Sequence, residues 1–254
     1  MTRRPAALLL DFGGVLADAP PQRSAPPELV LRIYNMSHGA LTPGEIQRSL
    51  TRGAEAYAAW RDEDWPDEMP PSEVWERFIL PGWPPAAQVP VRGAVKRLSY
   101  DWAWRHNWAL RPGIIEALSE TANQQIPMAV VSNTLCGAAH RDFLAQVGVG
   151  HFFNVQIYSN EAGVRKPNPQ MIWAATDELG VRPQECWFVG DSPRRDMACA
   201  RRADVAQAIL MRSPRTDREP LSSPYPPDRE ITSGYELRDF LKLSALHPEK
   251  SNKP

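Results

Sequence analysis

Asp11 closes the first apolar run of the chain, Ala6-Ala7-Leu8-Leu9-Leu10, and is followed by Phe12-Gly13-Gly14-Val15-Leu16. An apolar run this short, ending in a carboxylate and two glycines, reads as a buried parallel strand that delivers Asp11 to its carboxyl edge. Open α/β sheets place their chemistry at that edge, and a carboxylate held there can act as a nucleophile that becomes an aspartyl-phosphate. Further polar groups recur at the ends of later apolar runs. Val131-Ser132-Asn133-Thr134 offers a hydroxyl and backbone N–H groups, Lys166-Pro167-Asn168-Pro169 an exposed loop lysine, and Gly190-Asp191-Ser192 with Asp196 a pair of carboxylates. Taken singly, each has a structural reading: Ser132 as a helix cap, Asp196 as a first-turn carboxylate favoured by the helix dipole, Lys166 as a solvated loop residue. Taken in chain order, nucleophile, hydroxyl, lysine and acidic loop converge on one sheet edge.

The elements that must position these groups follow from periodicity. From Arg111 onward, short apolar runs alternate with helical spacing. Pro112 suits the first turn of a helix carrying Ile114, Ile115 and Leu118. Strands are expected over Pro127 to Val131, Val155 to Tyr158, Cys186 to Val189 and Val205 to Met211. Helices are expected around Phe143-Leu144-Val147, from Met171 to Leu179, over Arg194 to Ala203, and around Tyr235 to Leu241. Repeated βα units of this length predict an α/β, doubly wound parallel sheet. Ser213 to Pro227, rich in Pro and Ser, reads as a loop. Residues 17–106 break the rhythm: Leu29, Ile33, Ile46, Leu50, Tyr57 and Trp60 recur at helical intervals, predicting a helical insertion beside the active edge. The expected division is a core of residues 1–16 and 107–246, the insertion at 17–106, and a frayed tail at 247–254.

Composition excludes several classes. The 254 residues suit one domain with an insertion, or two modest domains, and the net charge of −1 gives no basic surface for nucleic acid or anionic membrane. Arg194-Arg195 and Arg201-Arg202 read as the wet side of one helix. The three cysteines, Cys136, Cys186 and Cys199, lack metal-ligand spacing and read as reduced structural thiols. The N-terminal apolar stretch breaks at Asp11, too early for a signal peptide, and no apolar stretch approaches a membrane span. These readings predict a cytoplasmic protein, monomer or homodimer, with a small-molecule partner.

In the order and spacing of its strand-end motifs, the chain resembles the haloacid dehalogenase (HAD) superfamily of phosphotransferases. The motifs stand as Asp11-Phe12-Gly13-Gly14-Val15, Val131-Ser132-Asn133-Thr134, Lys166-Pro167-Asn168-Pro169 and Gly190-Asp191-Ser192-Pro193-Arg194-Arg195-Asp196. The resemblance covers residues 5–16 and about 108–243. It implies a Rossmannoid core with a helical cap inserted after the first motif, and a Mg²⁺-dependent phosphatase acting on a small phosphorylated metabolite, such as a sugar phosphate or nucleotide. It implies Asp11 as nucleophile and Lys166 as its charge partner. Ser132, Asn133 and Lys166 would hold phosphate. The metal ligands would be Asp11, the carbonyl of Gly13, and Asp191, with Asp196 in the outer shell or reaching Lys166. Mg²⁺ suits such oxygen ligands.

One position departs from the family's usual pattern. The second Asp, general acid and then base in most of its phosphatases, is here Gly13. A general acid typically contributes about 10²–10⁴-fold, so its loss predicts a slow enzyme unless another group serves. Asp18, His38 and His106 are the substitutes the sequence offers, each with a structural alternative. Gly13 itself is a position whose backbone could be open only to glycine. A cap would exclude water and line the pocket, with Tyr34, Tyr57, Trp60, Trp65, Trp75 and Trp83 divided between pocket and helix-bundle core, mostly core. Trp102, Trp104 and Trp108 would pack cap against core. Two alternatives stand beside the phosphatase: a metal-independent 2-haloacid dehalogenase, which Gly190-Asp191 argues against, and a non-catalytic phospho-ligand-binding or regulatory protein, which only Gly13 supports.

Overall fold

A computed structural model describes residues 3–21, 24–61, 67–219 and 224–245. The chain runs β1 (Ala7–Leu10), β2 (Ala17–Asp18), α1 (Pro27–Met36), α2 (Pro43–Trp60) and α3 (Pro71–Val74), which continues as a π turn over Trp75–Ile79. Then come α4 (Pro85–Ala103), β3 (Ala109–Leu110), α5 (Ile114–Asn123), β4 (Met128–Ser132), α6 (Gly137–Gln146), β5 (Val155–Tyr158), α7 (Ser159–Ala162) and α8 (Gln170–Leu179). The chain closes with β6 (Cys186–Gly190), a π turn over Pro193–Met197 leading into α9 (Ala198–Arg202), β7 (Gln207–Met211), β8 (Arg229–Ile231) and α10 (Gly234–Ala245). The expected tail, 247–254, lies outside the described residues.

Six strands form one parallel sheet in the order β5-β4-β1-β6-β7-β8. The central strands are apolar throughout because helices cover both faces. Alternation decides which layer each side chain joins. Leu8, Leu10, Val130 and Val189 pack with Ile114 and Leu118 of α5 and Leu237 and Leu241 of α10. Ala7, Leu9, Ala129 and Phe188 pack with Met171, Ile172 and Ala175 of α8 and Cys199 of α9. The fold is the doubly wound parallel sheet read from the periodicity. β1 lies between β4 and β6, so Asp11, Ser132 and Asp191 emerge side by side from neighbouring strand ends. The three cysteines are buried and unpaired.

Several elements differ from expectation. The helix expected over Arg194 to Ala203 opens as a π turn, with Ser192 Oγ accepting from the Arg195 amide at its start. β8, the one-turn α7 and the two-residue antiparallel pair β2–β3 have no counterpart among the expected elements. Strands this short leave no period in the sequence. Val147 falls just past the end of α6 and still packs on the core.

Helices α1 to α4 enclose a separate apolar cluster of Leu29, Ile33, Ile46, Leu50, Trp75, Ile79, Trp83 and Leu98. Thr42 and Glu45 cap α2 reciprocally, with Thr42 Oγ1 accepting from the Glu45 amide (3.3 Å) and Glu45 Oε2 from the Thr42 amide (2.7 Å). The buried indoles find partners within the bundle: Trp75 Nε1 donates to Ser99 Oγ (2.9 Å) and Trp83 Nε1 to Ser49 Oγ (3.0 Å). Trp104 and Trp108 pack against the sheet's core, whereas Trp102 meets Trp75 edge-on at 5.5 Å. Trp65 lies outside the described residues. No described helix is long and apolar enough to cross a membrane.

Candidate functional site

A cavity of about 380 Å³ opens at the carboxyl edge of the sheet, with Asp11, Ser132, Asn133, Lys166 and Asp196 among its lining residues. Residues from the helical insertion, including Tyr57 and Arg61, form its opposite wall. Asp191 sits below, its carboxylate within 4.8 Å of those of Asp11 and Asp196. The three strand-end groups and the loop lysine named from the sequence are thus brought together.

Lys166 is the hub of this cluster. The loop lysine expected to be exposed is 2 % exposed. Its Nζ lies 2.8 Å from Asp11 Oδ1 and 2.7 Å from Asp196 Oδ1, and donates to the Val131 carbonyl at 2.8 Å. Burial alone would lower the Lys166 pKa; the carboxylates of Asp11 and Asp196 outweigh it and leave it raised. The amine is therefore a permanent cation. Asn133 holds its backbone from both sides, since Oδ1 accepts from the Lys166 amide and Nδ2 donates to the Lys166 carbonyl, both at 2.8 Å. The Asn133 side chain is thereby committed to placing the lysine. The phosphate role implied for Asn133 concerns its backbone N–H, which these side-chain bonds leave untouched.

Asp196 is equally committed. Its Oδ2 accepts from the amides of Asp191 (3.0 Å) and Ser192 (2.9 Å), and its Oδ1 faces Lys166. Burial works to raise its pKa, but Lys166, Arg195 and the Ser192 amide outweigh that and lower it. Of the two roles implied for Asp196, this geometry matches the one that reaches Lys166.

Asp191 is gripped by a segment that reads in sequence as a plain loop. Ser213 Oγ donates to its Oδ2 at 2.5 Å, Arg215 Nη1 to its Oδ1 at 2.9 Å, and Thr216 Oγ1 to its backbone carbonyl at 2.6 Å. Burial and the neighbouring Asp196 and Asp11 nevertheless outweigh Arg215 and Ser213 and push the Asp191 pKa up to about 7. Buried carboxylates this close need positive charge. Asp11 and Asp191 supply hard oxygen donors of the kind Mg²⁺ takes, and the donor set fits such an ion, with Arg215 and Ser213 holding the Asp191 oxygens in its place.

Gly13 adopts no left-handed conformation; that requirement belongs to Gly14, with φ +79°. A β-carbon on Gly14 would overlap the Asp191 carboxylate, whereas one on Gly13 would meet nothing closer than Arg215 Nη2 at 3.5 Å. The glycine-only position expected at Gly13 is therefore its neighbour. Arg111 anchors this loop by donating to the carbonyls of Gly14 (2.5 Å), Arg212 (2.8 Å) and Thr232 (2.8 Å).

None of the three substitutes for the missing acid lines the cavity among its described residues. Asp18 accepts from the Ala19 amide at 3.0 Å and faces a separate cleft. His38 is exposed beyond α1, and His106, also exposed, accepts from Trp104 Nε1. His140, not singled out in the sequence, does line the cavity. It stacks on Phe12 with ring centroids 3.8 Å apart, and its Nδ1 is buried without a partner. Burial, with Lys166 and Arg141, lowers its pKa to about 3, so it is neutral at physiological pH. Arg195, expected on a wet helix face, also lines the cavity.

A parallel sheet with three polar strand ends and a loop lysine gathered at one edge matches the arrangement implied by the resemblance to haloacid dehalogenase-like hydrolases. The family model of that description matches residues 56–210, and the chain belongs to this family. The match takes in Ser132, Lys166 and Asp191; Asp11 precedes it. The chain is 32 % identical over 131 residues to the glyceraldehyde 3-phosphate phosphatase of Methanopyrus kandleri, covering 52 % of this chain and 56 % of that protein. It is 28 % identical over 177 residues to the phosphoserine phosphatase of Thermus thermophilus, covering 70 % of this chain and 66 % of that protein. The chain thus spans between about half and two thirds of the length of these relatives. The crystal structure of a HAD phosphatase from Thermococcus onnurineus superposes with a TM-score of 0.58, over 95 % of this chain and 98 % of that one. At 20 % identity that likeness is one of fold.

Proposed function

We propose that the protein is a Mg²⁺-dependent phosphatase that hydrolyses a small phosphorylated metabolite through a phospho-Asp11 intermediate. The observation that carries this reading is the Asp11 carboxylate, 4 % exposed, fixed by Lys166 Nζ at 2.8 Å on the floor of a cavity of about 380 Å³. A cavity of this size suits a single metabolite. Pre-oriented by Lys166, Asp11 Oδ attacks phosphorus and forms the aspartyl O–P bond as the P–O bond to the leaving group breaks. Water then hydrolyses the acyl phosphate, releasing phosphate and restoring Asp11. Lys166 offsets charge beside the nucleophile, and Ser132 Oγ with the Asn133 N–H faces the phosphoryl oxygens. Mg²⁺ held by Asp11, Asp191 and the Gly13 carbonyl would supply further positive charge against those oxygens. Asp196 positions Lys166.

Residues 17–106 act in this reading as a cap whose inner wall selects the substrate, with a sugar phosphate or nucleotide-like compound among the candidates. The protein works in the cytoplasm, as a monomer or homodimer. The buried Gly190-Asp191 site supports phosphoryl transfer over metal-free dehalogenation, which has no use for a third carboxylate beside Asp11. The test is phosphate release from p-nitrophenyl phosphate and a panel of metabolites, with Mg²⁺ and with EDTA. Release is expected only with the metal, and Asp11→Asn should lower it by roughly 10³-fold or more, as losing a nucleophile does elsewhere. Unchanged release in Asp11→Asn sinks the mechanism, and halide release from 2-chloropropionate in EDTA favours the dehalogenase.

A further inference from the structure

The wall opposite Asp11 carries positive charge that the phosphoryl site does not use. Most of the cavity's cations are matched by a carboxylate: Lys166 by Asp11 and Asp196, Arg215 by Asp191, Arg195 by Glu219 at 3.4 Å, and Arg165 by Glu68 at 3.0 Å. Arg61 and Arg105 differ: both line the same cavity and neither has a carboxylate partner among the described residues. Arg61 caps the C-terminal end of α2. Its guanidinium lies over the Tyr57 ring, 5.2 Å from the centroid, a contact that orients the group without neutralising it. Tyr57 is itself fixed, donating to Glu68 Oε1 at 2.6 Å.

A second observation points the same way. Arg165, 3 % exposed and also lining the cavity, has a buried Nε with no hydrogen-bond partner. A buried donor left unmade is costly. Arg61, Arg165 and Arg195 lie close enough to repel one another: burial, then Arg165 and Arg195, lower the Arg61 pKa to about 10. Among the described residues, Arg61, Arg165 and Arg195 have two glutamate partners between them, Glu68 and Glu219, and Arg61 is the one left without.

We propose that Arg61, backed by Arg165, binds a second oxyanion on the substrate, a carboxylate or a second phosphate, so that the preferred substrates are phosphomonoesters with another negative charge. Arg61 presents a planar guanidinium suited to bidentate pairing with either group. This rests on the phosphatase reading and names the substrate class of that same cavity.

The test compares substrates of similar size: 2-phosphoglycolate, with a carboxylate; ethylene glycol bisphosphate, with a second phosphate; and 2-hydroxyethyl phosphate, with neither. In the natural protein, kcat/KM for one or both charged substrates should exceed that for 2-hydroxyethyl phosphate by roughly tenfold or more. Arg61→Gln should collapse this ratio by about 10–100-fold, through KM, the range for a hydrogen bond to a charged group. Arg61→Lys should keep part of it. The substrate whose preference collapses tells which oxyanion the site takes. A natural protein without preference for either charged compound, or a preference that survives Arg61→Gln, overturns the inference while leaving the phosphatase intact. If none of the three is hydrolysed, the phosphatase reading itself is in question, and calorimetric binding of the same compounds to the Asp11→Asn protein, with and without Arg61→Gln, still decides. Equal affinity in the two proteins overturns the proposal.

Discussion

Arg215 Nη2 stands 3.5 Å from where a β-carbon on Gly13 would lie. The space that an acid at this position would enter is therefore faced by a cation, itself paired with Asp191 at 2.9 Å. Electrostatic support for a leaving oxygen is available here without a proton to give. A loose phosphoryl-transfer transition state tolerates this best when the leaving group needs little help. Activity should thus fall steeply as leaving-group pKa rises, with aryl and anomeric sugar phosphates ahead of simple alkyl phosphates. Because Gly13 has no positive φ, Gly13→Asp should fold. It should raise alkyl phosphate hydrolysis relative to p-nitrophenyl phosphate by on the order of tenfold or more, within the range of a general acid. A flat leaving-group dependence in the natural protein would mean that another group supplies the proton, and the neutral His140 is not that group.

Asp191 should make metal binding depend on pH. Its carboxyl titrates near pH 7, and Mg²⁺ needs the ionised form, so apparent affinity should drop about tenfold per pH unit below that point. The sign for stability follows from a pKa raised above its unfolded value. The proton on Asp191 stabilises the metal-free fold fully below the ordinary carboxylate range, and that contribution is lost as pH rises through about 7. A bound Mg²⁺ would replace the proton. Its addition should therefore raise the melting temperature more at pH 8 than at pH 6, against EDTA controls. An equal shift at both pH values would remove Asp191 from the metal site.

Lys166 allows structure and chemistry to be separated. Lys166→Met leaves Asp11 and Asp196 buried without their cation and should cost about 3–5 kcal/mol in denaturant unfolding. Adding Asp196→Asn removes one of the unpaired charges and should recover part of that stability. Activity should stay lost, because nothing then neutralises charge beside Asp11. Recovery of turnover in the double variant would reduce Lys166 to a folding residue.

The parallel sheet and its strand ends were legible because each motif is local: an apolar run and the polar residues that stop it. Asp11, Ser132 and Asp191 need only the right strand order to meet. What the sequence hid depends on contacts between distant segments. Ser213, Arg215 and Thr216 sit in a Pro- and Ser-rich stretch with no periodicity, yet they hold Asp191 from more than twenty residues away. Their one signal is position, directly after β7 at the carboxyl edge. His140 lies on a helical stripe and looks like any packed residue until Phe12 is placed against it. The motif reading gave the Asn133 N–H to phosphate; the role of its side chain in holding the Lys166 backbone has no signal in the motif. No pattern in the sequence pairs Glu68 with Arg165, because the two lie on opposite sides of the insertion's boundary with the core.

That Glu68–Arg165 pair should be the main polar tie between the helical insertion and the catalytic loop. Arg165 Nη1 donates to both Glu68 oxygens at 3.0 Å, and the Glu68 amide donates to the Gly163 carbonyl at 2.9 Å. Both side chains are almost fully buried. Replacing a buried pair with apolar groups can be neutral, but removing one partner strands the other. Glu68→Ala should therefore destabilise the protein by about 3–5 kcal/mol in urea unfolding, with Arg165 left buried and unpaired. Tyr57→Phe, which removes the hydroxyl that donates to Glu68 (2.6 Å) and accepts from Arg165 (3.3 Å), should cost only about 1–2 kcal/mol. Arg165 directly precedes Lys166, so Glu68→Ala should also lower kcat, even under conditions where the protein remains folded. A Glu68→Ala protein as stable and active as the natural one would show that the pair does not tie the insertion to the catalytic loop.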